Sequence, residues 1–194
     1  MADELRGGVV AILAADGVEQ VELEQPRQAV EQAGARTELL SIKPDEIQAT
    51  NQDIHLADRF PVDHQVSQAS VDDYDALILP GGTTNPDHLR QDSTAVSFVR
   101  DFFATGKPVG VICHGSWTME ADVVRGRTLT SYPSLRTDIR NAGGNVVDQE
   151  VVTDQGLVSS RGPHDLPRSA QRSSRSFAEG SHAVHDEGAT ARSF

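Results

Sequence analysis

The 194-residue sequence lacks several features that membrane and secreted proteins carry. It has no apolar run near the roughly 20 residues that a membrane helix needs. Its amino terminus, MADELRGG, lacks the basic and apolar segments of a signal peptide. A single cysteine excludes an internal disulfide and fits a reducing compartment. We therefore expect a cytoplasmic location and no membrane partner.

Positive charge is also scarce. The chain carries 17 Lys and Arg against 29 Asp and Glu, a formal net charge of −12. Nucleic acid is not expected as a partner, because phosphate binding needs a basic surface.

His182 and His185 are three residues apart and could chelate a metal, but the sequence offers them no third ligand. We predict no metal and no cofactor.

What the sequence does contain is an alternation of strand-like and helical segments. Buried-strand patterns occur in VVAILA, ARTELLSI, DALILP and KPVGVIC, and helical spacing of apolar residues follows several of them. Residues 48–64 are polar and alternating, which predicts either short strands or a hairpin. The segment NVVDQEVVTDQGLVSS predicts two strands joined at a DQG turn. This order predicts a three-layer α/β sandwich with a mostly parallel sheet covered on both faces.

The composition changes near residue 167. Residues 1–166 carry the α/β pattern, whereas residues 167–194 are rich in Ser, Arg, Ala and Gly and show almost no apolar stripe. We expect a weak helix over 168–177 and a mobile remainder. The prediction is one α/β domain over 1–166, followed by a weakly structured helix and tail over 167–194.

The stretch VGVICHGSW places the only cysteine, Cys113, at the end of a strand and before a predicted helix. Such an elbow projects its side chain into the cleft at the carboxyl edge of a parallel sheet. The helix N-terminus would lower the pKa of the thiol and supply N–H groups for an oxyanion. The alternative is a small residue buried in the core.

Several motifs in order resemble the PfpI-type family, which groups intracellular cysteine peptidases with protein deglycases. They are GVEQVE, LPGG, VICHG, RGR, TSYPS, NAGG and the run from EVV to DLP, and they span about Val9 to Leu166. The resemblance implies a flavodoxin-like fold related to class I glutamine amidotransferase domains. It also implies a homodimer, assembled further in some members.

The same resemblance suggests roles for particular residues. Cys113 would be the nucleophile, and Glu22 a protonated carboxyl that hydrogen-bonds the thiolate. His114 would be the catalytic base or acid, oriented by Asp87 of a neighbouring subunit. Glu22 and Asp87 also have plainer interpretations, as a solvated helix glutamate and as an acid at a helix N-terminus.

Backbone N–H groups of Gly81, Gly82 and His114 are the candidates for an oxyanion hole, and Tyr132 is a candidate for the substrate pocket. Gly81 and Gly82 could equally form an ordinary turn, and Tyr132 could equally be a core residue.

The sequence departs from the family in two places. The segment between Cys113 and RGR is one residue short, and the family's amphipathic helix after DLP is not evident.

The resemblance favours a stress-related, cysteine-dependent hydrolase acting on small carbonyl adducts or peptides. Deglycase or glyoxalase chemistry and peptidase chemistry would use the same residues, so the sequence does not separate them. The alternative is a redox-sensing stress protein, in which Cys113 is oxidised to sulfinic acid.

Overall fold

The computed structural model describes residues 5–190, apart from the side chains of residue 121 and of 181–190. The strands are β1 Val9–Leu13, β2 Val18–Glu19, β3 Arg36–Ser41, β4 Glu46–Asn51, β5 His55–Pro61, β6 His64–Gln65, β7 Ala76–Leu79, β8 Val109–Ile112, β9 Thr128–Leu129, β10 Asn145–Val146, β11 Val151–Asp154 and β12 Leu157–Ser160. The helices are α1 Gln20–Gln32, α2 Thr84–Gln91, α3 Ser93–Ala104, α4 Ala121–Val124, α5 Arg136–Asn141 and α6 Leu166–Thr190.

Seven strands form the central sheet, in the order β11-β12-β8-β7-β1-β3-β6. All neighbouring pairs are parallel except β11 and β12, which form an antiparallel hairpin at one edge. The strands β1, β7 and β8 lie at the centre, and β7 and β8 are buried along their whole length. The carboxyl ends of these strands therefore meet at one edge, where ligands bind in parallel sheets.

The core lies on both faces of this sheet, because side chains alternate along each strand. In β1, Ala11 and Leu13 pack with α3, whereas Val10 and Ile12 pack with α1 and α6. Two helical layers therefore sandwich the sheet. The predicted three-layer α/β sandwich with a mostly parallel sheet is confirmed.

Two of the predicted local elements also agree with the structure. Residues 46–61 form the antiparallel hairpin of β4 and β5, which joins β2 in a small sheet of three strands. The strands β11 and β12 are joined at Gln155 and Gly156. Both residues have positive φ, 49° and 79°, as a tight hairpin turn requires.

Two other local predictions need correction. An α-helix was expected after Cys113, but residues Cys113–Thr118 form a 3-10 helix, and only the short α4 follows. The helix predicted over 168–177 is present but longer than expected, since α6 begins at Leu166 and ends at Thr190. It packs through Leu166, Phe177 and Ala178 together with buried serines, so its buried face is built largely from small residues.

Within residues 5–190, none of the helices combines the length and the apolar character needed to cross a bilayer.

Candidate functional site

The cysteine lies at the carboxyl end of β8, near the middle of the sheet. Cys113 has a φ of 56°, the left-handed conformation that residues with a side chain rarely adopt. It is 6% exposed. The turn is tight because Gly115 passes close to the end of β7: a Cβ placed on Gly115 would lie 2.4 Å from the carbonyl oxygen of Leu79. Strain of this kind at a strand end is typical of functional residues.

Glu22 is fully buried and approaches the elbow from α1. Its Oε2 accepts a 2.7 Å hydrogen bond from the backbone N–H of Gly81. Gly81 has no room for a side chain, because a Cβ there would lie 2.6 Å from Glu22 Oε2 and 2.8 Å from the Cβ of Cys113. The second oxygen, Oε1, is buried without a hydrogen-bond partner among the described residues.

Burial raises the pKa of the Glu22 carboxyl to about 8, against the lowering effect of the Gly81 N–H. The carboxyl is therefore mostly protonated at neutral pH. Burial also raises the pKa of the Cys113 thiol, and the nearby Glu22 raises it further, whereas the N–H of His114 lowers it. The lowered thiol pKa expected from the sequence is corrected here, since desolvation outweighs the few amide groups of a 3-10 turn.

His114 contacts the sulfur directly, with 3.3 Å between Cys113 Sγ and His114 Nδ1. Its other ring nitrogen, Nε2, lies 3.3 Å from Ser134 Oγ. The imidazole stacks on Tyr132, with ring centroids 4.4 Å apart, and meets the edge of Trp117 at 5.5 Å. Burial lowers the pKa of His114, so the ring is mainly neutral at pH 7 and can accept a proton.

A cavity of about 300 Å³ opens beside these groups. Cys113, His114, Glu22, Gly82 and Tyr132 all line it. The structure therefore brings together the sulfur, both candidate proton-transfer groups and the candidate pocket tyrosine. Tyr132 is 42% exposed, so its ring covers the imidazole and also faces the opening.

Two of the predicted site residues have partners other than those expected. The Gly81 N–H is already bonded to Glu22, so it is not free to bind an oxyanion while that bond persists. This leaves Gly82 and His114 as the candidate donors. Asp87 is exposed on α2, and its Oδ2 accepts a 3.2 Å hydrogen bond from Gln91. Among the described residues, the His114 ring bonds Cys113 and Ser134 and not Asp87.

Sequence reasoning missed Asp53 and Ser134. Asp53 lies in the β4–β5 turn with a φ of 64°, and its Oδ1 accepts a 2.6 Å hydrogen bond from the Thr83 N–H. It lines the cavity, and its charge raises the pKa of His114. The positive φ expected at an acidic hairpin turn was the available signal for Asp53. Ser134 had none, because its contact depends on how the chain folds back after β9.

Residues 5–190, with the side chains that are described, contain no group of three or more His, Cys, Asp or Glu residues placed to hold an ion. His182 and His185 fall where side chains are outside the description.

Comparison with known proteins gives consistent matches. The model of the DJ-1/PfpI family matches residues 9–174. An uncharacterized protein of Staphylococcus epidermidis is 38% identical over 162 residues, which is 81% of this chain and 90% of that protein. Protein/nucleic acid deglycase 2 of Escherichia coli is 48% identical over 108 residues, covering 55% of this chain and 62% of the relative.

A solved structure agrees with the fold. A protein of Anabaena variabilis with a DJ-1/ThiJ/PfpI-like domain and a ferritin-like domain is 30% identical, with a TM-score of 0.77. The match covers 85% of this chain and 46% of that longer, two-domain chain.

Proposed function

The chain belongs to the DJ-1/PfpI family, and on that premise we propose that it is a stress-related, cysteine-dependent hydrolase of the cytoplasm. Its substrates are small carbonyl adducts or peptides, in deglycase, glyoxalase or peptidase chemistry. One observation carries the proposal: a strained cysteine opens on a cavity with its sulfur 3.3 Å from a mainly neutral imidazole. The E. coli relative named as a deglycase supports the choice of chemistry.

The first step follows from the proton positions. Because the Cys113 thiol is neutral and buried, attack on a carbonyl carbon requires its proton to leave as the carbon–sulfur bond forms. His114 Nδ1 is the group within reach to accept that proton. The neutral carboxyl of Glu22 places no negative charge beside the sulfur, and its proton can be donated to the developing thiolate.

The second step separates the two chemistries. With methylglyoxal, addition of the thiol to the aldehyde gives a hemithioacetal, and His114 moves the proton of that carbon to the neighbouring carbonyl carbon. The first carbon is thereby oxidised and the second reduced, which gives a lactoyl thioester that water hydrolyses to lactate and the free thiol. With a peptide, the amine leaves and a thioester forms, which water then hydrolyses. In both cases the carbonyl oxygen gains negative charge, and the N–H groups of Gly82 and His114 are the proposed donors to it.

The experiment is the rate of lactate formation from methylglyoxal, with peptide cleavage measured in parallel, by wild type and by Cys113→Ala. The variant should lose more than about a hundredfold in rate on the true substrate class. Its melting temperature serves as the control for folding. Equal turnover by both proteins would contradict the proposal, and the ratio of the two wild-type rates identifies the chemistry.

A second candidate function is redox sensing. It is favoured by two features of Glu22: its carboxyl contacts the Cys113 thiol, and its oxygen Oε1 is buried with no hydrogen-bond partner among the described residues and could bond an oxidised cysteine. Mass spectrometry after mild peroxide tests it. Stoichiometric addition of two oxygens at Cys113, without turnover of methylglyoxal or peptides, would favour the sensor over the hydrolase.

The chain is also proposed to act as a homodimer or a higher assembly, without nucleic acid as a partner. Two large apolar side chains on the β4–β5 hairpin support self-association, because Ile54 is 77% exposed and Leu56 is 80% exposed. Assembly would also allow Asp87 of one subunit to reach His114 of another. Sedimentation analysis of wild type and Leu56→Lys tests this, with a shift to monomer expected in the variant.

A further inference from the structure

A second cavity, of about 630 Å³, lies between β11 and α6. It shares no lining residue with the cysteine cavity, and the loop after β12 contributes Arg161 to one and Pro163 to the other. Four arginines and two carboxylates contribute its charges: Arg161, Arg168, Arg172, Arg175, Asp148 and Glu150. In a chain of net charge −12, this is a local excess of positive charge.

Two of the arginines are held in place by carboxylates. Arg161 Nε lies 2.9 Å from Asp165 Oδ2, and its Nη1 lies 3.0 Å from Asp148 Oδ1. Asp148 also pairs with Arg136 at 2.8 Å. Arg168 pairs with Glu150. Such pairs fix the planar guanidinium groups before any ligand arrives.

The other two arginines are uncompensated. Arg172 and Arg175 are exposed, and among the described residues neither forms an ion pair or hydrogen bond. Together with Arg168 they are spaced by four and three residues, so they share one face of α6. Like charges at this spacing destabilise a helix, and a bound anion would remove that repulsion.

We propose that this cavity binds a small phosphate monoester on a hydroxylated carbon skeleton, such as a sugar phosphate or a nucleotide. Guanidinium groups bind phosphate through two parallel hydrogen bonds, and Arg172 and Arg175 are free to make them. The carboxylates of Asp148 and Glu150 are acceptors for hydroxyl groups. The volume suits a ligand of this size, whereas the strongly negative chain disfavours a long nucleic acid.

The test is isothermal titration of the full chain, at low salt, with ribose 5-phosphate, AMP and inorganic phosphate. Ribose 5-phosphate, AMP or both should bind more tightly than inorganic phosphate, and the stronger of the two identifies the source. R172Q/R175Q should weaken that binding by about tenfold or more, because charged hydrogen bonds are lost. R125Q/R140Q is the matched control, since it removes the same charge from exposed arginines that do not line the cavity.

Thermal unfolding gives an independent readout. The preferred ligand should raise the melting temperature of wild type and of R125Q/R140Q as its concentration rises, and should leave R172Q/R175Q unchanged. Cys113→Ala should bind as wild type does, so the result does not depend on the proposed hydrolase activity. The proposal is overturned if no phosphate probe binds at millimolar concentration, or if R172Q/R175Q binds as tightly as wild type.

Discussion

At the scale of single residues, the proposed chemistry depends on two buried groups that both hold their protons, the Glu22 carboxyl and the Cys113 thiol. The Glu22 carboxyl and the Cys113 thiol lie in the same desolvated space, and burial raises the pKa of both. Each group therefore favours its neutral form, and ionising one makes it harder to ionise the other. The resting site is neutral, so the proposed reaction requires transfer of the thiol proton to His114, 3.3 Å away, rather than a standing thiolate.

The proton on the buried Glu22 carboxyl should make the stability of the fold depend on pH. The folded chain holds it up to about pH 8, whereas the unfolded chain releases it near 4.5. The contribution to stability is therefore full below pH 4.5 and is lost as pH rises towards 8, by up to about 1.4 kcal/mol per pH unit. Glu22→Gln should remove this slope in urea unfolding measured at several pH values.

The control for that experiment is Glu24→Gln, two residues along the same helix, which should keep the wild-type slope. His114 contributes in the opposite direction, since its lowered pKa makes stability rise with pH up to about 6.5. His114 is present in wild type, Glu22→Gln and Glu24→Gln, so its effect cancels when their stability slopes are compared. Identical slopes for wild type and Glu22→Gln would mean that the carboxyl is ionised in the folded chain.

Ser134 is expected to fix the tautomer of His114. If Nδ1 accepts the proton of the thiol, Nε2 carries the hydrogen and donates it to Ser134 Oγ, 3.3 Å away. Ser134→Ala should lower kcat by about tenfold and shift the pH–rate profile, because the ring loses its preferred protonation site. Ser134→Thr keeps the hydroxyl and should restore most of the rate. An unshifted profile in Ser134→Ala would show that the contact is not used.

At the scale of elements, α6 lies close to the sheet because its contact residues are small. Ser173 Oγ lies 3.1 Å from where a Cβ on Gly110 of β8 would be, and the ring of Phe177 lies 3.6 Å from the same point. A stripe of serines and alanines with one aromatic ring is weakly apolar, which is why the hydrophobic pattern did not predict the packed face of α6. Packing depends on close approach here more than on large buried area.

Phe177 should therefore contribute more than any other side chain of this contact. It is 2% exposed, and Phe177→Ala should lower the free energy of unfolding by about 3 kcal/mol through the cavity it leaves. Glu179→Ala, an exposed site on the same helix, should change it by less than about 0.5 kcal/mol. Equal effects in chemical denaturation would show that the packed face of α6 adds little to stability.

At the scale of the whole molecule, the parallel sheet is what gathers residues from distant parts of the sequence. Apolar runs of four to six residues predicted the strands and the sandwich, and the elbow motif predicted which strand end carries the cysteine. The contact of Ser134 with His114 and the position of Asp53 depend on long-range folding, which periodicity does not encode. The tight 3-10 turn at Cys113 depends on the approach of Gly115 to the end of β7. A glycine there indicates that backbone can pass closely, but the 3-10 form of the turn is not encoded in the local pattern.

Assembly offers a test for Asp87, which is exposed and does not line the cavity of its own chain. If it acts across subunits, Asp87→Asn should lower kcat by about tenfold without changing the oligomeric state. Mixing Asp87→Asn with Cys113→Ala should then restore about a quarter of wild-type activity after subunit exchange in a dimer, because hybrids regain one complete site. Activity that stays at the level of the separate variants would exclude a role across subunits.

The left-handed backbone at Cys113 lowers the stability of the fold, because a residue with a side chain adopts this conformation at a cost. The proposed reaction nevertheless requires a side chain at this position. Glycine adopts this conformation freely, so Cys113→Gly should exceed Cys113→Ala in free energy of unfolding by about 1 kcal/mol, although alanine is normally the more stable choice. Drift in a lineage that no longer needs the reaction should accordingly lead to glycine here. The persistence of cysteine at such a site in related genomes would then be a signature of continued selection for the thiol.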